Sequence, residues 1–284
     1  MNHCRFLLRL SSLFAVIGIV SLRAQFSPYL PSPGRTELTV SHTFVTFDAF
    51  WAGKTRLGTQ AVLGSSGKDQ YTSLLSLEYG LSERWAADLT VGYSRVKMGS
   101  FPDDSGWVDS LVGIRYLVMD ETESFNRSLP TVALRVGGIL AGSYDEGLPF
   151  SSGDGASGVE VSALVGRSLN RTFSVLADLG YRWRSHGVPE DIFGSVGLAA
   201  SWRQFILSAA WRYDGAVSGL VILGPGFGTV GGFPQVRERN ASLQIGLGGS
   251  VSDRLYLQAY AAWTLSGENT GDKTVLGGSG TFSF

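Results

Sequence analysis

Lys273-Thr274-Val275-Leu276-Gly277-Gly278-Ser279-Gly280-Thr281-Phe282-Ser283-Phe284 closes the sequence. The segment is an amphipathic strand that runs to the last residue, ends on an aromatic and carries Phe282 and Phe284 on one face. Soluble domains rarely end in this way. It reads as the closing strand of a bacterial outer-membrane β-barrel.

The same alternation recurs upstream. In Phe173-Ser174-Val175-Leu176-Ala177-Asp178-Leu179-Gly180-Tyr181-Arg182-Trp183-Arg184 one face is Phe, Val, Ala, Leu, Tyr, Trp and the other Ser, Leu, Asp, Gly, Arg, Arg. Successive strand side chains point to opposite faces, so one side meets lipid and the other a polar lumen. Trp85, Ala87, Leu89, Val91 and Tyr93 separate from Asp88, Thr90 and Ser94 in the same way, as do Leu255, Leu257, Ala259, Ala261 and Trp263 from Tyr256, Gln258 and Tyr260. Aromatics cluster at the ends of these runs, the pattern of interfacial girdles. A soluble β-sandwich also alternates, but it explains neither the strand lengths nor the final Phe.

About twelve such segments are expected, centred on Val40, Leu75, Leu89, Gly113, Leu134, Ala163, Ala177, Val196, Ala209, Ile245, Ala259 and Gly278. The predicted class is all-β, a transmembrane antiparallel up-and-down β-barrel with both termini in the periplasm. Short links at 81–84, 169–171, 203–204 and 252–254 read as periplasmic turns. The segments 48–68, 99–106, 143–156, 185–190, 214–239 and 266–272 read as extracellular loops, and 120–129 as a longer periplasmic turn.

Residues 1–24 read as a secretory signal, with Arg5 and Arg9 ahead of an apolar stretch from Leu10 to Leu22 that is too short for a comfortable spanning helix; residues 25–284 form the barrel. Cys4 lies inside the signal, so the exported chain is expected to have no thiol or disulfide. Without the signal, 20 basic residues face 24 acidic ones, a formal charge of −4 that argues against nucleic acid as a partner.

Glu78-Tyr79-Gly80-Leu81-Ser82-Glu83-Arg84-Trp85, then Asp88-Leu89 and Ser105-Gly106-Trp107-Val108-Asp109-Ser110-Leu111-Val112-Gly113-Ile114-Arg115-Tyr116, resemble outer-membrane barrels of the family named for the MetA pathway of phenol degradation. Leu134-Arg135-Val136-Gly137-Gly138, Gly155-Ala156-Ser157-Gly158-Val159-Glu160 and Gly271-Asp272-Lys273-Thr274 are similar to that family's later segments. The resemblance covers most of the mature chain and implies passage of small, aromatic or hydrophobic solutes across the outer membrane. The ending is similar to the signal read by the barrel-assembly machinery, with Phe282 and Phe284 as its aromatics. It departs at Ser279, where the common pattern has Gly.

Alternation turns Glu78, Asp88, Asp109, Arg115, Arg135, Glu160, Asp178, Arg182, Arg184, Arg212 and Asp214 into the lumen. Mixed signs in a low-dielectric wall favour paired ions over a one-sign filter. Two roles follow, a brace for the barrel or a selectivity site, and Arg115, Arg135, Arg182 and Arg212 are the candidates for lining a constriction.

The loop 214–239 contains the apolar run Gly219-Leu220-Val221-Ile222-Leu223-Gly224-Pro225-Gly226-Phe227-Gly228. Either an inward plug or an extension of the flanking strands buries Val221, Leu223 and Phe227. Phe50 and Trp51 are placed to cap the same mouth, and Tyr256 and Tyr260 to form a solute site with the loop. The run lacks the Lys-Ser/Thr of a phosphate-cradling loop.

Outside the signal the histidines are His42, on the lipid-facing parity, and His186, in a loop; neither has a Ser beside it that the sequence singles out, so no catalytic site is assigned. Asp145-Glu146, Ser151-Ser152-Gly153-Asp154 and Glu268 to Asp272 offer oxygens without calcium-loop spacing. No cofactor is implied. The expected partners are outer-membrane lipid, the assembly machinery during biogenesis and a small solute. The expected function is passive conduction, with a closed structural or ligand-binding barrel as the alternative.

Overall fold

The computed structural model describes residues 27–60, 69–97, 102–123, 129–145, 152–222, 224–227 and 234–284. The expected signal, with Cys4, lies outside them. Among the described residues the strands are β1 (Thr36–Ala52), β2 (Thr55–Gly58), β3 (Asp69–Gly80), β4 (Trp85–Lys97), β5 (Asp104–Trp107), β6 (Ser110–Met119), β7 (Thr131–Leu140), β8 (Gly158–Ser168), β9 (Phe173–Arg184), β10 (Asp191–Trp202), β11 (Phe205–Ala216), β12 (Arg239–Ser250), β13 (Leu255–Glu268) and β14 (Gly271–Ser283).

Twelve of these strands pair with their chain neighbours in one antiparallel sheet, and β14 returns to β1 to close it. β2 and β5 are short additions, paired to the loop-side ends of β1 and β4. The seam runs from Glu37 opposite Ser283 to Phe50 opposite Gly271, with one register shift between Phe47 and Ala49. At its end Thr36 N–H donates to the Phe284 carbonyl at 2.9 Å and Phe284 N–H to the Thr36 carbonyl at 3.0 Å. Closure leaves no open sheet edge, which a hydrocarbon environment does not tolerate.

Every expected strand centre falls inside a barrel strand. Val40, Leu75, Ile114, Val136, Leu179, Val196, Leu207, Leu257 and Leu276 all face outward and are exposed, an apolar belt that water would penalise and lipid accepts. Tyr79, Trp85, Trp202, Phe205, Phe282 and Phe284 ring the end with the short turns. Tyr93, Trp107, Trp183, Trp211 and Trp263 ring the loop end. The chain thus has the fold of a bacterial outer-membrane barrel.

Several expected loops are shorter than the sequence suggests. Segment 266–272 is a two-residue turn in which Asn269 takes φ 54°. Segments 48–68 and 99–106 contain the rest of β1 with β2, and β5. The backbone ladder continues beyond the belt, where lipid no longer demands apolar side chains and the alternation fades.

Candidate functional site

The lumen has two unlike walls. The first is one registered row of facing residues: Glu37 on β1 opposes Glu78, Glu78 opposes Asp88, Asp88 opposes Gly113, Gly113 opposes Gly137, Gly137 opposes Glu160, Glu160 opposes Arg182 and Arg182 opposes Asp191. The two glycines leave a gap that Arg135 fills. A Cβ on Gly113 would lie 2.6 Å from Arg135 Nη2, and one on Gly137 2.8 Å from Nη1. From there Arg135 donates to Asp88 through Nε at 3.1 Å and Nη2 at 2.7 Å, and to Glu160 through Nη1.

The cluster extends both ways. Arg182 Nε donates to Glu160 at 3.2 Å, and its Nη1 stands 3.5 Å from Asp191 and 3.8 Å from Asp214. Arg115 donates to Glu78 and lies 3.9 Å from Asp88. Arg115 is only 2% exposed and Arg135 7%. The remaining void among them, about 30 Å³, has room for about two waters. Such alternating pairs recover in mutual attraction what each charge loses in hydration. The structure therefore brings Arg115, Arg135, Arg182, Glu78, Asp88 and Glu160 into one cluster. Arg212 and Asp178 lie beyond it, Arg212 3.4 Å from Gln244 Oε1 and Asp178 accepting from Ser195. Glu37 and Asp191, which complete the row, are missed in the sequence because both sit at strand ends where alternation gives the weakest signal.

The second wall carries no formal charge. Leu38 to Phe47, Asn240 to Ser250, Leu255 to Gly267 and Thr274 to Phe284 contain no Asp, Glu, Lys or Arg. Two of its lumen residues, Thr39 and Thr281, pair by their hydroxyls at 2.8 Å. Burial separates the two sides. Lumen residues of β7 and β8, such as Thr131, Ile139, Ser162 and Leu164, are buried, whereas Ser41, Thr43, Gln244, Gln258, Val275 and Ser279 are half-buried. These half-buried side chains lie on β12, β13, β14 and β1.

Both mouths are partly covered. At the turn end, residues 27–35 cross from β3 to β8. Gly34 N–H donates to the Gly80 carbonyl at 2.8 Å and Gly80 N–H to Arg35 at 3.0 Å. Arg115 Nη1 donates to the Ser27 carbonyl at 3.0 Å, and the Pro28 ring and Tyr29 hydroxyl lie over Gly166, 2.7 and 2.9 Å from where a Cβ would stand. Ser27 is 1% exposed. Burial, and then the carboxylate of Glu121, push the Tyr29 hydroxyl pKa up.

At the loop end Asn269 is the hub. Its Oδ1 accepts from Gly53 N–H at 2.9 Å and Ile222 N–H at 3.0 Å, and its Nδ2 donates to the Arg237 carbonyl at 2.8 Å. The described part of loop 214–239 docks on this rim. Ile222 is buried with Phe50, Ala52 and Val236, while Leu57 and Phe227 pack against them. β11 and β12 stop at Ala216 and Arg239, so the extended-hairpin alternative is not what the described residues form. Val221 is half-buried, and Leu223 lies outside the described residues. Phe50 does cap the loop, whereas Tyr256 cannot reach it. Tyr256 packs on Ala199 and Ile206 near the opposite end of β13.

Across this mouth Tyr144 donates to Asp109 at 2.5 Å and accepts from Gly155 N–H at 2.8 Å, and Arg184 donates to Asp109 at 2.6 Å. Burial first, and Asp109 second, raise the Tyr144 pKa. Burial also raises Asp154, 4.0 Å from Arg184, to about 6.

The histidine expectation needs correcting. His42 Nδ1 lies 2.9 Å from Ser73 Oγ on the lipid face, and His186 Nδ1 2.7 Å from Ser185 Oγ. The first pair arises from cross-strand register, His42 opposite Ser73, which a linear reading does not display. Neither imidazole bonds a carboxylate among the described residues, and the backbone N–H groups beside His42 serve the sheet rather than an oxyanion hole. Among the described residues no group of three His, Cys, Asp or Glu is set to hold a metal. Glu146 and Ser151 lie outside them, Glu268 accepts from Arg237 at 2.5 Å, and Asp272 from Arg56 at 2.5 Å.

No family model matches the sequence, and no curated protein matches it. The fold is similar to an outer membrane channel from Pseudomonas putida F1, with TM-score 0.73 and 14% identity over 92% of this chain and 98% of that one. It is also similar to the NanC porin, with TM-score 0.52 and 7% identity over 86% of this chain and 98% of that one. The translocator domain of the autotransporter NalP from Neisseria meningitidis gives TM-score 0.50 and 12% identity, covering 99% and 95%. What these share with the present chain is the closed outer-membrane barrel.

Proposed function

We propose that this barrel is a passive outer-membrane conduit for small solutes, aromatic or hydrophobic molecules among them. The observation that carries the reading is the two-walled lumen. A charge cluster fills one side, while the other, free of formal charge, presents the half-buried side chains of Ser41, Thr43, Gln244, Gln258, Tyr260 and Ser279. A lumen built only as a structural core would bury both sides alike. The likeness to an outer membrane channel and to a porin supports the same reading. The expected roles of Arg115, Arg135, Arg182 and Arg212 divide accordingly. Arg115, Arg135 and Arg182 brace the wall, and Arg212 stands where the charged side gives way to the neutral one.

A second reading, a closed barrel without transport, is favoured by the covered mouths at residues 27–35 and at Ile222. Single-channel recording of the refolded, signal-free protein in planar bilayers separates the two. Current through the intact protein is expected. Silence from intact protein and from a form with a shortened 214–239 loop, with folding verified by heat-modifiable gel migration, would favour the closed barrel.

A further inference from the structure

The neutral wall contains one aromatic side chain placed to do more than line it. Tyr260 stands mid-strand on β13 and has glycine opposite on both sides, Gly246 on β12 and Gly277 on β14. Its ring lies over Gly277, where an added Cβ would be 2.3 Å from Cζ and 2.6 Å from the hydroxyl oxygen. Gln258 leans the other way, over Gly246, with Nε2 2.9 Å from an added Cβ there. The two side chains thus fold apart against the wall. Tyr260 is half-buried.

Register supplies the surroundings. Thr43 opposes Gly277, Val45 opposes Val275, and Ser41 opposes Ser279. The ring is therefore bordered by valines toward the loop end and by hydroxyls toward the turn end. A solute resting here meets an aromatic face, an aliphatic border and uncharged donors and acceptors. The charge that acts on Tyr260 from the neighbouring wall is Arg212, which Asp178 and Asp214 attract and whose Nη1 stands 3.4 Å from Gln244 Oε1.

We propose that Tyr260, seated on Gly277 and flanked by Gln258 and Thr43, is a recognition site for a neutral solute carrying a ring and a hydroxyl group. The inference rests on the conduit reading and adds the class of solute to it. A ring gains a flat partner in Tyr260. Its hydroxyl group finds uncharged partners, whereas an ionised group would give up water against strands that carry no charge of their own, with Arg212 already held by Asp178 and Asp214.

The test is swelling of liposomes containing the full barrel, with phenyl glucoside, methyl glucoside and phenyl phosphate as probes. Wild type is expected to admit phenyl glucoside faster, relative to methyl glucoside, than Tyr260→Ala does, by roughly threefold, the scale of one aromatic contact. Phenyl phosphate is expected to enter more slowly than phenyl glucoside. Tyr260→Phe keeps the ring and is expected to keep the ratio. Gly277→Ala, which displaces the ring, is expected to lower it, with heat-modifiable migration confirming folded protein in each case. An unchanged ratio in Tyr260→Ala, or faster entry of phenyl phosphate, would overturn the site while leaving the conduit intact. Failure of wild type to pass any probe or current would overturn the conduit reading, and the site with it.

Discussion

Arg135 on β7 grips Asp88 on β4 across the whole width of β6, and it does so because Gly113, which lies between them, has no side chain. The guanidinium occupies the space above two facing glycines and joins the carboxylates on either side of them. Removing it leaves Asp88 and Glu160 short of their shared partner. Arg135→Ala is expected to cost about 3–5 kcal/mol, as for other broken buried ion pairs. Gly113→Ala, which leaves every charge in place but pushes the guanidinium aside, is expected to cost about 1–3 kcal/mol. Urea unfolding in lipid vesicles, followed by tryptophan fluorescence, measures both.

Residues 27–35 cross the turn-end mouth and are tied to the lumen through Arg115 and the Ser27 carbonyl. Deleting 27–33 from the signal-free protein is expected to raise single-channel conductance, while the β1–β14 seam that begins at Thr36 remains. Unchanged conductance would show that the segment lies clear of the conducting path.

The loop-end rim hangs on Asn269. Asn269→Gly preserves the left-handed turn and removes three side-chain hydrogen bonds, to Gly53, Ile222 and Arg237. The expected loss is about 1–3 kcal/mol. Faster amide exchange at Ile222 and Gly53, with the barrel strands unaffected, is the sign of a loosened rim.

Asp154 gives the mouth a pH response. Its folded pKa, about 6, lies above the ordinary aspartate value of 3.8, because burial and the carboxylates of Glu238 and Asp109 outweigh Arg184 and Arg182. The folded mouth then holds a proton that the opened one releases. Its stability is highest below about pH 4 and falls as pH rises to about 6. Conductance is expected to rise over that window. Asp154→Asn, fixed in the neutral form, is expected to remove this step from the conductance profile.

Strand positions were legible because lipid on one side and a polar lumen on the other enforce strict alternation, as in Phe173 to Arg184. Lumen orientation of Arg115, Arg135 and Glu160 followed from the same parity. Their mutual contacts did not, because register is a relation between strands: nothing local places Asp88, Gly113, Gly137 and Glu160 in one row. The same limit hid His42 beside Ser73. In the long loop, alternation has no lipid to enforce it, and Ile222 rather than Val221 takes the buried position. Residues 27–35 show no alternation, and only their contacts with Gly80 and Gly166 reveal where they lie.

Thr36 and Phe284 exchange both of their backbone hydrogen bonds, so the two ends of the barrel face each other as the arms of a hairpin do. To the sheet, this junction differs from a periplasmic turn only in lacking a peptide connection. A short Asn-Gly bridge from Phe284 to Thr36, with the chain reopened at the turn between Trp202 and Phe205, would give a circularly permuted barrel with the same neighbours throughout. In such a protein the aromatic ending would no longer be terminal, which would test whether it has a part in delivery to the membrane apart from its place in the finished wall.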